Sequence, residues 1–317
     1  MRLLLGSRTR LAIAVLLLFC ANSHSQIVGR PAVNEVIAAA AEQRKAYINE
    51  FKDLMSRETK TFEIFGKNGE IKKKRSIVST FIVYQLSKDD RSIAEYRNII
   101  SVDGKQLDAD KRAQEFFEEI ARVDSSRKEL EKLDKEGSRF DEEISLSLFT
   151  LYQSVSLADN LRPHFEFVHE TTEKQGGRDV LVVSYKQIKD SPYILTDEKN
   201  APSDGKLTMI YDVDAGDEVK GRLSGKLWID AQTYQVWKEL RSFTIQPNGF
   251  SGPAVFSENT FEYQPSLFGI LTPKKIVYTQ FRIDKKAANA RKEASVTYDY
   301  EPFTKPDVEV RSGEVSK

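Results

Sequence analysis

The feature that most constrains this chain is a set of short β-type segments that are apolar on both faces. In "DVLVVSYKQ", Val180 and Val182 point one way while Leu181, Val183 and Tyr185 point the other. In "SIVSTFIVYQL", Ile77, Phe81 and Val83 oppose Val78, Ile82, Tyr84 and Leu86. In "GRLSGKLWID", Leu223, Leu227 and Ile229 oppose Trp228. A strand with one wet face alternates apolar and polar residues, whereas a strand covered on both faces does not. Each of these segments therefore needs something against both sides: helices, side chains of the same protein, or a ligand.

The segments follow one another at short spacing. "KTFEIF" (Lys60–Phe65) and "SIVSTFIVYQL" (Ser76–Leu86) are joined by "GKNGEIKKKR", whose Asn68-Gly69 pair is a turn signal. "IAEYRNIISV" (Ile93–Val102) closes at Asp103-Gly104. Later come "HFEFVHET", "DVLVVSYKQ", "LTMIYDV", "RLSGKLWID", "YQVWKELRSFTI", "AVFSENTFEYQ", "KKIVYTQFRI" and "ASVTYDYEPF", separated by Gly, Pro, Asn and Asp clusters. This pattern predicts an antiparallel meander of about ten or eleven strands. A sheet of that size curls, and its concave side must be filled.

Helices are expected beside the sheet. From Pro31 to Met55, Val33, Val36, Ile37, Ala40, Ala41, Tyr47, Ile48, Phe51 and Leu54 form one apolar stripe. Asp108–Lys135 carries an imperfect stripe of Phe116, Phe117, Ile120, Val123, Leu130 and Leu133. Ile144–Leu157 has Ile144, Leu148, Leu151, Tyr152 and Val155 at helical spacing. The last two are expected as a pair packed over the sheet, being too short to make a core of their own.

Residues 1–25 stand apart from this fold. Arg2, Arg8 and Arg10 precede the apolar run "LAIAVLLLFC", and Ser23 and Ser25 are small residues placed for cleavage before Gln26. That is the pattern of a secretory signal peptide, and the run is shorter than the ~20 residues of a membrane span. A lipid anchor on Cys20 is the competing reading, with the bulky Phe19 where a small residue is wanted. Cleavage would remove three arginines from 48 bases and 48 acids, leaving 45 against 48, together with the only cysteine. The near-neutral balance argues against nucleic acid as a partner, and no disulfide is expected. One domain is expected over residues 26–303, with a polar tail over 304–317 and the mature protein in the periplasm or secreted.

The order of a leader, an amphipathic helix, a meander with a helical insertion and the late hairpin "LSGKLWIDAQTYQVWK" resembles the LolA/LolB family of periplasmic lipoprotein carriers. "FGILTPKKIVYTQF" resembles the family's later strand entry. The resemblance covers most of the mature chain by element order, while its local motifs are short. It implies an α+β half-barrel with an apolar concave face under a helical lid, able to hold acyl chains. The carrier's functional arginine has no matching position here.

Catalytic and cofactor chemistry finds little material. His164 and His169 lie five apart in "RPHFEFVHE", on opposite faces of a strand. "GFSGP" around Ser251 lacks the spacing of a nucleophile elbow. "YDVDAGDEV" (Asp212, Asp214, Gly216, Asp217, Glu218) places its glycine one position early for a calcium loop, so an acidic turn is expected. "IKKKR" (Ile71–Arg75) is either a contact for anionic lipid or a solvated hairpin end. No catalytic residue, metal site or cofactor is assigned, and the chain is expected not to be an enzyme.

Two sets of binding residues are expected. Leu223, Leu227, Ile229, Trp228, Val180, Val182, Phe81 and Val83 are candidates to line a groove for a lipid or an acylated lipoprotein. Leu267, Phe268, Ile270 and Leu271, between Pro265 and Pro273, are either a contact for a membrane or partner or the buried start of the next strand. The competing function is an envelope sensor or assembly scaffold with a self-filled groove.

Overall fold

The computed structural model describes residues 32–85, 93–123, 125–142, 150, 153–213, 219–247, 250–284 and 289–305. The expected signal peptide, most of the helix expected over 144–157, the acidic turn at 214–218 and the chain beyond 305 lie outside the described residues.

Helix α1 (Val33–Glu50) carries the predicted stripe and buries Val36, Ile37, Ala40, Ala41 and Tyr47. It stops before Asp53, whose positive φ of 56° leaves the helical region. β1 (Met55–Phe65) and β2 (Ile71–Gln85) form a hairpin with Gly69 at φ 80°. β3 (Ile93–Val102) turns through Asp103-Gly104 into the two-residue β4 (Lys105–Gln106). Two helices follow, α2 (Ala109–Ile120) and α3 (Ser126–Gly137), capped by the side chains of Asp108 and Ser125. After single turns at Val155–Leu157 and Arg162–His164 come β5 (Phe165–Gln175) and β6 (Arg178–Gln187). The short β7 (Ile194–Leu195) and β8 (Met209–Ile210) pair parallel to each other, apart from the main sheet. The chain ends in β9 (Gly221–Asp230), β10 (Val236–Ile245), β11 (Ala254–Pro265), β12 (Leu271–Asp284) and β13 (Asn289–Tyr300).

Eleven strands make one antiparallel sheet in the order β4-β3-β2-β1-β13-β12-β11-β10-β9-β6-β5. It is a meander whose first and last strands meet in its middle, with Glu58 opposite Tyr300 and Ile64 opposite Ala294. The end strands β4 and β5 are not paired with each other, so the sheet stays open. The α+β class, the curved antiparallel sheet and the N-terminal helix agree with the sequence reading.

Several boundaries do not. The helix expected over Asp108–Lys135 is two helices, because the Ser125 hydroxyl accepts from Lys128 N and starts a new one. The inserted pair is therefore α2 and α3. The stretch ending at Leu157 contributes a turn at 153–154 and a single helical turn at 155–157. "IKKKR" lies inside β2 rather than in the connection. "LTMIYDV" gives only the two residues of β8.

One face of the sheet can be followed across every long strand. Val83, Phe81, Ser79 and Ile77 on β2 stand opposite Glu95, Arg97, Ile99 and Val102 on β3. Leu227 stands between Val183 on β6 and Glu239 on β10, and Glu239 is in turn opposite Phe261 on β11. Helix α1 lies along this inner face. Its first half packs with Leu181, Val183, Leu223, Leu227 and Ile229. Tyr47, Phe51 and Leu54, at and just after its end, pack with Phe81, Val83, Phe261, Val296 and Tyr298. Fully burying one such side chain contributes roughly 1.5–3 kcal/mol.

Candidate functional site

The groove candidates divide between the two faces. Leu223, Leu227, Ile229, Phe81 and Val83 share the inner face, and none is more than 1% exposed. Val180, Val182 and Trp228 do not join them. The register puts Trp228 opposite Val182 and Lys238, on the outer face, with the Lys238 ammonium 5.5 Å from the indole. Alternation on β6 and β9 forces this split, since neighbours in sequence point to opposite sides. The eight residues therefore line no common surface.

The contact candidates divide as well. Ile270 and Leu271 belong to the core around Tyr263 and Phe303, which removes them from any surface contact. Phe268 packs half-buried against that core under Lys305, while Leu267 is 98% exposed. The turn is braced by Ser266 Oγ, which donates to Ile270 O, and by Gln235 Nε2, which donates to Gly269 O at 2.8 Å.

The inner face is covered by the chain itself. Thr150 and residues 153–161 form a strap held between the two halves of the sheet. At one end Thr150 N donates to Glu95 Oε1 at 2.9 Å, and the Thr150 hydroxyl donates to the same oxygen. At the other, Ser154 N donates to Glu239 Oε2 at 2.7 Å. From above, α1 adds Tyr47 Oη donating to Thr150 O at 2.9 Å and Arg44 Nε donating to Gln153 O at 3.1 Å. Val155, Leu157 and Leu161 are then buried beside Leu181 and Leu223.

The strap also measures the curl of the sheet. Glu95 is on β3 and Glu239 on β10, six strand spacings apart. In a flat sheet that is about 29 Å. Thr150 and Ser154 are four residues apart and span at most about 14 Å. Curvature of the sheet lets both carboxylates reach this short segment through their side chains.

Each carboxylate belongs to a buried ionic cluster. On the β3 side, Arg97 Nε and Nη2 donate to Glu58 at 2.8 and 3.0 Å, and Nη2 also reaches Glu95 Oε2 at 3.1 Å. Lys60 Nζ donates to Asp141 Oδ1 at 2.7 Å and lies 5.4 Å from the Tyr298 ring. Burial pushes the Glu58 carboxyl up, but the Arg97 guanidinium, with Lys60 and the Tyr300 hydroxyl, outweighs it and leaves the group below its ordinary value. Asp141 goes the other way, raised by burial against the pull of Lys60.

On the β10 side, Arg241 Nε and Nη2 donate to Glu239 at 3.0 and 2.9 Å, and Tyr185 Oη donates to Glu239 Oε1 at 2.9 Å. Gly225 makes this possible: a Cβ there would fall 2.6 Å from Tyr185 Oη and 2.0 Å from Leu240 O. Burial and the neighbouring Arg241 lower Arg44 to about 10.

None of these buried charges was singled out from the sequence. The available signal was Glu-x-Arg, at Glu95–Arg97 and Glu239–Arg241, which places opposite charges on one face of a strand. The histidines gather no partner chemistry, His164 ending a turn and His169 half-buried on β5 with its Nε2 beside Thr171 O at 2.9 Å. Among the described residues no group of three or more His, Cys, Asp or Glu is placed to hold a metal ion.

A separate cleft of about 860 Å³ opens beside β7 and the start of β9. Its walls combine Ile194, Leu195, Val213 and Val219 with Asp190, Lys220 and Arg222. Asp190 is paired with Lys220 at 3.2 Å and with Arg222. None of the predicted groove residues lines it.

No protein-family model matches this chain, and no curated protein matches it. Solved structures similar to it include an "outer membrane lipoprotein-sorting protein domain" from Vibrio parahaemolyticus, 15% identical over 84% of this chain and 91% of that one, with a TM-score of 0.36. A DUF1329 family protein from Desulfovibrio piger is 10% identical over 90% and 95%, with a TM-score of 0.33. A LolA superfamily protein from Nitrosomonas europaea is 9% identical over 86% and 93%, with a TM-score of 0.30. The first and third are of the kind that the sequence resembles. The fold stands on the strand register described above.

Proposed function

We propose that this is a non-enzymatic binding protein of the cell envelope, acting as a sensor or assembly scaffold, with the interior of its curved sheet closed by its own chain. The observation that supports this is the filled inner face. Leu223, Leu227, Ile229, Phe81 and Val83 are buried under α1 and the strap, in the place where the family resemblance would put acyl chains. The strap is held by charge-assisted hydrogen bonds from both halves, which are stronger than neutral ones. Partners would then meet the outer surface or a rim of the sheet. The envelope address rests on the leader-like first 25 residues, and the absence of catalysis rests on the missing constellations of the sequence.

A second reading, a carrier for a lipid or an acylated lipoprotein, is favoured by the cleft of about 860 Å³ with Ile194, Leu195, Val213 and Val219 in its wall. Small-molecule sites occupy roughly 300–1,000 Å³, so the volume suits an acyl chain. Native mass spectrometry of the purified protein separates the two. An apo mass that stays unchanged with added fatty acid or phospholipid supports the scaffold. Retained acyl species, lost when Val219 is changed to Asp, support the carrier and sink the scaffold.

A further inference from the structure

The rim at the β1–β2 hairpin concentrates positive charge in a chain that is otherwise balanced. Between Phe65 and Ser76 stand Lys67, Lys72, Lys73, Lys74 and Arg75 against one acid, Glu70. Because β1 pairs with β13 up to Ile64 and Ala294, the β12–β13 hairpin ends beside it and adds Arg282, Arg291 and Lys292. Some of these charges are matched: Lys74 by Glu63 at 3.1 Å, Lys73 and Arg75 by Glu142, and Arg282 by Glu293 at 3.3 Å. Among the described side chains, which do not include that of Asp284, no carboxylate comes within 4.0 Å of the Lys67, Lys72, Arg291 or Lys292 cation, the Glu70 carboxylate lying against the stem of Lys72 beside Gly66. The Lys292 ammonium instead sits 4.2 Å from the Phe65 ring.

An apolar side chain stands in the middle of this charge. Ile71, between Glu70 and Lys72, is 50% exposed. The stretch of β2 before Ile77 has β1 on one side and no strand of β3 on the other, so lysines there also guard a free edge against pairing with another chain. Edge protection accounts for the lysines. It does not account for an isoleucine left open among them, which works against that purpose.

We propose that this rim binds an anionic membrane surface, with the unmatched cations over lipid phosphates and Ile71 entering the headgroup layer. Four of the five hairpin bases are lysines. Point charges on long flexible stems suit a fluid layer of phosphates, whereas recognition of single carboxylates on a protein favours the arginine fork. Docking at the rim does not depend on whether the sheet interior is open or filled, so it stands apart from the function proposed above.

The test is co-sedimentation with vesicles of phosphatidylglycerol and phosphatidylcholine against phosphatidylcholine alone. The wild-type protein should bind the anionic vesicles, and less as salt rises. Each surface lysine is worth about fivefold in such binding, so Lys67→Gln with Lys72→Gln should weaken it about 25-fold. Ile71→Ser should weaken it several-fold while leaving its salt dependence unchanged. All three positions are exposed, and an unchanged melting temperature checks that the fold is intact. Equal partition to both vesicle types, or no change in the double variant, would overturn the proposal. So would binding to poly-glutamate that is lost in the double variant while vesicle binding is not.

Discussion

On β3, Glu95 and Arg97 flank an outward Tyr96; on β10, Glu239 and Arg241 flank an outward Leu240. The same three-residue pattern thus supplies a buried acid and a buried base to each half of the inner face, but the wiring differs. Arg97 sends its fork two strands away to Glu58 and only one bond to its near neighbour Glu95. Arg241 closes its fork on Glu239 itself. The β3 cluster gathers three acids, Glu58, Glu95 and Asp141, around two bases, Arg97 and Lys60. The β10 cluster sets one acid against Arg241 and Arg44. One half is held by charges from distant parts of the chain, and the other by a local pair. A buried pair costs desolvation whichever way it is wired, so the difference lies in what each half loses when one member goes.

The largest expected effect follows from that count. Arg97→Met strands two carboxylates and should cost the upper part, or more, of the roughly 3–5 kcal/mol typical of breaking a buried pair. Arg241→Met strands one and should fall at the lower end. Urea midpoints at constant slope measure both. Equal losses would mean that wiring does not matter and would break the comparison. Replacing both members, Glu239→Gln with Arg241→Met, should recover most of the single loss in the β10 half. No two-residue change should do so in the β3 half, where a third charge remains.

Leu227→Gln comes next. Leu227 is fully buried between Val183 and Glu239, so the amide enters without a designed partner. It should cost roughly 1–3 kcal/mol plus packing, read as a lower melting temperature. A normal melt would show that the inner face opens to water and would revive the groove expected from the sequence.

How much of this was legible follows from period and distance. Doubling of apolar residues on "DVLVVSYKQ" revealed a strand buried on both sides, because alternation is a local property; on "SIVSTFIVYQL" the second face, with Val78 and Ile82, is only half-buried. The same alternation could not say which side was inner, so Val180, Val182 and Trp228 were grouped with residues of the opposite face. The α2–α3 break was carried by Ser125, a capping residue inside a charged run. The strap was hidden for a different reason. Its partners Glu95 and Glu239 lie 55 and 85 residues from Thr150 and Ser154, and only the curl of the sheet brings them together. Leu267 to Leu271 was ambiguous because a tight turn exposes Leu267 and buries Ile270 and Leu271 three and four residues later.

A smaller effect should appear in acid. Glu58 has its carboxyl held below the ordinary value of 4.5, chiefly by Arg97 against the opposing effect of burial. A depressed carboxylate contributes stability that is present above the unfolded value and is lost as pH falls through the folded one. The urea midpoint of the wild type should therefore exceed that of Glu58→Gln at neutral pH, and the gap should shrink below pH 4.5. Asp141, raised by burial, works in the opposite sense and gains as pH falls, so the net wild-type slope is shallow. A gap that stays constant down to strongly acidic pH would remove Glu58 from the account of the β3 half.

The smallest expected effect decides whether the two halves are separate at all. Tyr47→Phe keeps the ring that stacks on Phe51 at 4.8 Å and edges Tyr263 at 6.4 Å, and deletes only the bond to Thr150 O. One such buried bond is worth about 1 kcal/mol. It holds the Glu95 end of the strap, whereas Glu239→Gln loosens the Ser154 end. Sites that are independent add to within about 0.5 kcal/mol. A strap that docks as one body predicts a double variant less destabilised than that sum, because releasing either end already frees part of the other. Strict additivity would instead make the strap two separate anchors. The ionic clusters would then be neighbours with similar sequence patterns, without a common element joining them.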